Sequence, residues 1–180
     1  MLLKFRAMIN PLIRPADRRE IGERIIEEII HRTRFKYKDK NNVRFPKYTK
    51  EYAAKKGVPR TKVDLTDLGD MLDDLSVLRT GAGFIEIGYE KDSAERKKAE
   101  GNITGSYGKY PRASKARDFL GLTQKEIDKI VSEVVTESED IKYAASEARK
   151  KRLSDEEAAQ AIAESIVDEY GIGEFDFEEY

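Results

Sequence analysis

The chain contains no cysteine. That removes disulfides, thiolate nucleophiles and cysteine metal sites together, and it suits a reducing compartment. Histidine occurs once, as His31. Without cysteine or a second histidine, a zinc site is not expected. His31 stands among arginines where a helix is expected to end, so it reads as a cation at the negative helix terminus rather than as a catalytic base. No apolar run approaches the roughly 20 residues that a membrane span needs. The start, MLLKFRAMINPLI, is broken by Lys4 and Arg6 and lacks a small-residue cleavage site, so a signal peptide is not expected. An excess of one charge is missing too. The net charge is -1, so the overall field selects neither nucleic acid nor an acidic partner, and charge-driven binding must come from local clusters.

What is present is charge of both signs. Charged residues make up 38% of the 180 residues, against about a quarter in an ordinary domain. The length favours one domain with an extension. Residues 1–13 alternate weakly and read as a strand or an arm. ADRREIGERIIEEIIHRTRFK follows, with Asp17 and Glu20 spaced as a capping box and Ile21, Ile25 and Ile29 on one helical face beside Ile26 and Ile30. Residues 36–62 are basic and aromatic, and Pro46, Gly57 and Pro59 punctuate them into loops around a short helix at 49–56. VDLTDLGDMLDDLSVLRT reads as a helical turn and then a strand from Leu75. GFIEIGY alternates about Glu86 as a half-buried strand does. Gly81 and Gly83 between these two strands suit a tight hairpin.

DSAERKKAEG reads as a short polar helix ending at Gly101, followed by a basic glycine-rich loop over 101–116. Next comes RDFLGL, an apolar knuckle before TQKEIDKIV. Thr123 and Glu126 form a T-x-x-E capping box, and Leu122 and Ile127 are placed as its hydrophobic staple. Ile127, Ile130, Val131, Val134 and Val135 continue an apolar face. Beyond Thr136 two more helices are expected. Ser154 and Glu157 box the start of the second, Gly171 ends it, and Ala158, Ala161, Ile162 and Ile166 give it a small apolar face.

Catalytic constellations are not evident. Asp64, Asp67, Asp70, Asp73 and Asp74 lack the central glycine and closing glutamate of a calcium loop. GNITGSYGKY lacks the Gly-Lys-Ser/Thr ending of a P-loop. GAGFIEIG precedes a strand rather than joining strand to helix, against a dinucleotide site. No serine has a spaced histidine or lysine base. The chain is therefore read as a non-enzyme without cofactor or metal. Two basic clusters remain: Lys36, Lys38, Lys40, Arg44, Lys47, Lys50, Lys55 and Lys56, and Lys109, Arg112, Lys115 and Arg117. Phe45, Tyr48 and Tyr52 interleave the first, which makes a nucleic-acid-binding module using residues 36–56 the alternative function. The favoured reading there is rings that anchor a loop to the core while lysines solvate it.

Three segments together carry a resemblance. FPKYTKEYAAKKG, VDLTDLGDMLDDLSV and ARDFLGLTQKEIDKIV occur in the order found in the virion-morphogenesis and head–tail connector (neck, tail-completion) proteins of tailed bacteriophages, which the chain resembles over roughly residues 17–136. Gly69, Asp70, Met71 and Leu72 match the middle motif, and Ala116, Arg117, Phe119, Leu120, Gly121 and Leu122 the late one. Leu68 stands where threonine is usual, Asp74 where serine is common, and the proline of the late motif is displaced to Pro111. The resemblance implies an α+β fold: a small, mainly antiparallel sheet flanked by a long N-terminal helix and a C-terminal helix. Residues 1–136 would form that connector-like domain, and residues 137–180 a helical extension with an acidic-aromatic tail. It implies a structural virion protein at the head–tail junction, assembled in the host cytoplasm as a homo-oligomeric ring, hexamer favoured over dodecamer. Other neck, portal and tail proteins are the implied partners, and genome DNA in the channel a further one. Gly69, Met71, Leu72, Phe119, Leu120 and Leu122 then build the structural motif. Lys109, Arg112, Lys115 and Arg117 meet a neighbouring subunit or the channel.

In the tail, GEFDFEEY, an extended chain sets Phe175 and Phe177 on one face and Asp176 on the other. That suits a segment added to a sheet edge of another subunit, with Phe175, Phe177 and Tyr180 as contacts. The alternative is a tail that folds back on its own helix at Tyr170.

Overall fold

The computed structural model describes residues 3–66, 70–106 and 113–170. The fold is α+β. Strand β1 (Lys4–Met8) leads into helix α1 (Pro15–His31), the short helices α2 (Lys50–Lys56) and α3 (Asp70–Asp73), strands β2 (Ser76–Gly81) and β3 (Phe84–Gly88), and helices α4 (Ala94–Thr104) and α5 (Gln124–Tyr170). The three strands form one antiparallel sheet in the order β1-β3-β2. The Gly81–Gly83 hairpin forms as its residues suggest.

Helix α1 starts at Pro15, two residues before the expected cap at Asp17, because proline at the first helical position is pre-set for the helix. Asp17 is instead a buried carboxylate gripped by the Arg14 guanidinium at 2.6 and 2.7 Å, and Glu20 pairs with Arg24. The isoleucine stripe behaves as its period dictates. Ile21, Ile25 and Ile29 are fully buried, each contributing about 1.5–3 kcal/mol of transfer free energy. The helix lies on β2 and β3, and Gly22 permits the approach: a Cβ there would sit 2.7 Å from a Val77 methyl and 3.2 Å from an Ile85 methyl.

Helical backbone does not end at His31. It widens into a π-helical turn over Arg32–Lys36, and Arg32 and Thr33 become fully buried. His31 stays exposed against the Phe35 ring, 5.3 Å away. Strand β3 is also more buried than its alternation suggests. As the central strand it buries Ile85 and Ile87 beneath α1 and Glu86, 4% exposed, on the opposite face. Helix α4 passes through a buried Gly101 and stops at Thr104, before the left-handed Gly105. With a 3₁₀ turn at Ala113–Lys115, the connection expected to loop over 101–116 is shorter at both ends.

Contacts divide the chain into two compact units, the first running to Val135 and the second beginning at Thr136. Helix α5 is continuous through this boundary, so the two separate helices expected after residue 136 are one. The anticipated cap at Ser154 is absent; its Oγ donates back to the Lys151 carbonyl at 2.7 Å, as serines do inside helices. Arg152–Glu156 and Gln160–Glu164 pairs lie one turn apart on the exposed surface. The glycine expected to end this helix, Gly171, lies outside the described residues.

Candidate interaction site

The knuckle before α5 is built around a buried arginine. Phe119 is fully buried, and Leu120 and Leu122 nearly so. Gly121 takes φ +135°, a conformation that favours glycine, with the Phe5 ring 3.2 Å from where a Cβ would stand. The bend turns two carbonyls inward, and Arg32 Nη2 donates to both: 2.8 Å to Phe119 O and 2.6 Å to Gly121 O. Burial lowers the Arg32 pKa, while Glu126, Glu28, Asp39 and Asp118 pull it back.

Glu126 closes the same corner. Its Oε2 accepts from the Thr123 N–H (2.8 Å) and hydroxyl (2.7 Å), and Thr123 Oγ1 accepts in return from Glu126 N at 3.4 Å. That is the reciprocal box the spacing predicts. Burial acts to raise the Glu126 pKa, but hydrogen bonds from Thr123 and Asn42 outweigh it and hold the carboxylate below its ordinary value. Leu122 and Ile127 are both buried, in keeping with a staple.

A second node surrounds Tyr48. Its ring is 5% exposed, and its backbone exchanges hydrogen bonds with Arg60 at 2.9 Å. The hydroxyl points at Asp64 (3.4 Å), which pairs with Lys56 at 2.5 Å; Lys56 also donates to Thr66 O. Burial, reinforced by Asp64, pushes the phenol up to about 12. Tyr52 packs edge-on against Tyr48 at 4.8 Å, and the Arg117 guanidinium stands 5.3 Å from the Tyr48 ring centre. Arg117 N donates to Asn102 O at 2.8 Å, and Asn102 offers its side-chain amide to Met71 Sδ at 3.6 Å. The Met71 carbonyl accepts from the buried Tyr89 hydroxyl at 2.8 Å.

The motif residues are thereby brought together. Met71, Leu72, Phe119, Leu120 and Leu122 all join one core. Arg117 is half-buried against Tyr48, and Lys115 half-buried in the 3₁₀ turn. Gly69, Lys109, Arg112, Phe175, Phe177 and Tyr180 lie outside the described residues. Of the interleaved rings, Phe45 and Tyr48 are buried anchors and Tyr52 is 38% exposed. Several lysines of that stretch are engaged: Lys36 with Glu28, Lys40 with Asp118 and Lys56 with Asp64.

Two features escape the sequence. Arg32 is one, hidden among the basic residues HRTR. The other is Glu86, on the sheet face opposite α1. Register sets Arg6 and Arg79 on either side of it. Lys4 (2.8 Å), Arg6 (3.0 Å from Nε) and Arg79 (3.5 Å) all reach its carboxylate. Hydrogen bonds from Lys4 and then Arg6 hold its pKa down at about 2. The available signal was Lys4 and Arg6 two apart on a strand, facing one way. Among the described residues, no group of three acidic or histidine side chains is placed to hold a metal ion, and no helix is long and apolar enough to cross a membrane. No family model matches the chain, and no curated protein or solved structure matches it either.

Proposed function

We propose that the chain is a structural protein of a tailed-phage virion, forming a ring at the head–tail junction that joins the portal side to the tail. One observation carries this reading. The three segments that give the resemblance meet in a single network: Tyr48 of the first holds Arg117 of the third, whose backbone reaches Met71 of the second through Asn102. Segments so far apart in sequence have a common reason to occur together when they build one rigid corner between sheet and helix. Such a corner suits a ring subunit that carries mechanical load, since it ties the opening turns of α5 to the core beneath the sheet.

Light-scattering mass of the full chain across a concentration series, followed by low-magnification imaging of the largest species, tests the reading. A closed ring, six-fold by preference, is expected. A monomer at every concentration, with and without the portal and tail proteins of the same phage, would overturn it.

A further inference from the structure

Cations elsewhere in the first unit are mostly matched. Arg19 pairs with Glu23, Arg24 with Glu20, Lys36 with Glu28, and Lys4, Arg6 and Arg79 share Glu86. The stretch around α2 departs from that pattern. Arg44, Lys47, Lys50, Lys55 and Lys62 are all exposed, and none forms an ion pair with a described residue. Glu51 is the one acidic side chain between residues 44 and 62.

These cations lie on one short stretch of chain that Tyr48 organises. Lys47 precedes Tyr48 and Lys50 opens α2 just after it. The reciprocal Tyr48–Arg60 bonds draw the loop carrying Lys62 alongside, and Tyr52 rests on the Tyr48 ring. Arg117 stands behind this stretch, half-buried against the Tyr48 ring.

We propose that this stretch, α2 with its flanking loops, is a docking surface for the phosphodiester backbone of nucleic acid. Several exposed, unpaired cations spread along a surface suit a ligand with one negative charge per repeat. Phe45 and Tyr48 are buried and Tyr52 packs edge-on against Tyr48, so the lysines make the contacts, and contacts to phosphates carry no sequence information. Neither the ring nor its stoichiometry is needed for this binding.

The test measures binding of the full chain to short duplex DNA of two unrelated sequences over a salt series. Equal affinity for both is expected, falling linearly on logarithmic axes as salt rises. Combining Lys47→Gln, Lys50→Gln and Lys55→Gln should weaken binding roughly tenfold or more and flatten the salt slope by about 0.9 for each lysine that neutralises a phosphate. Lys125→Gln, exposed at the start of α5, should change neither. Light-scattering mass should be the same for all these variants, which separates this surface from ring formation. Absence of DNA binding, an unaltered salt slope in the triple variant, or equally tight binding of polyglutamate of the same charge would each overturn the proposal.

Discussion

The Arg32 guanidinium spans the backbone of the Phe119–Gly121 bend from the far end of α1, with 2.8 Å to the Phe119 carbonyl. This arginine has no exposed surface; Nη2 finds two main-chain acceptors turned inward at Gly121, and Glu126 lies 3.9 Å from Nη1, while Nε and Nη1 make no hydrogen bond. The first helix and the entry to the last are therefore joined by charge-assisted hydrogen bonds, each worth about 1.5–3 kcal/mol net. Replacing Arg32 by methionine keeps much of the volume and leaves both carbonyls buried and unpaired. The expected loss is about 3 kcal/mol or more, read as a lower urea midpoint at unchanged slope. Arg32→Lys should not rescue it, because the lysine ammonium ends one bond short of Nη2, the single nitrogen that donates to both oxygens. Full rescue by lysine would show that charge alone matters.

Phe119 and Ile25 test the two sides of the same core. Both are fully buried. Phe119→Ala should cost ~3–5 kcal/mol from lost transfer energy and the cavity left behind. Ile25→Asp should be worse still, since it places an unpaired carboxylate against the sheet, and loss of the cooperative thermal transition is expected. A Phe119→Ala protein that melts like the parent but no longer assembles would make the ring an interface anchor instead.

Glu86 gives the sheet an acid-sensitive element. Its folded pKa of about 2 lies below the ordinary 4.5. As pH falls, the unfolded chain takes up the proton first, so protonation favours unfolding. The contribution is complete above about 4.5 and disappears between about 4.5 and 2. Tm of the parent should therefore fall more steeply across that window than Tm of Glu86→Gln. Above pH 5 the substituted protein should be the less stable of the two, because Lys4, Arg6 and Arg79 lose their common anion. Parallel curves would mean the three cations do not stabilise the folded carboxylate.

Elements governed by local rules were legible in the sequence. The α1 stripe follows from helical period, the hairpin from Gly81 and Gly83, and the α5 start from Thr123 and Glu126. Arg32 and Glu86 were not legible, because their partners are remote. Nothing near HRTR indicates that carbonyls at Phe119 and Gly121 will face it. Glu86 looked like the solvent-facing member of an alternating strand because the cations that cover it come from two other strands. The Tyr48 cluster was half legible: its rings were favoured as anchors, but the pairing with Arg117 depends on how the chain returns after α4. The capping pattern at Ser154 misled for a different reason. A serine three residues before a glutamate starts a helix only where a preceding helix has stopped, and neither glycine nor proline lies between Thr136 and Ser154 to stop it.

That last difference can be decided by one proline. If a new helix began at Ser154, Asp155 would be its first residue, the position where proline is most welcome. In the continuous α5, Asp155 is interior. A proline there removes the hydrogen bond to residue 151 and sets its ring against that carbonyl, costing about 3 kcal/mol. Asp155 is exposed, so no packing change accompanies the substitution. Asp155→Pro should therefore lower far-UV helical ellipticity and speed amide exchange on both sides of the site, while Asp155→Ala should hold or raise both helicity and protection. The core of the first unit, with Ile127, Ile130 and Val134 on the opening turns of α5, should keep its own unfolding transition in both variants. Unchanged ellipticity and exchange in Asp155→Pro would mean that the chain restarts at Ser154 and that α5 is two helices.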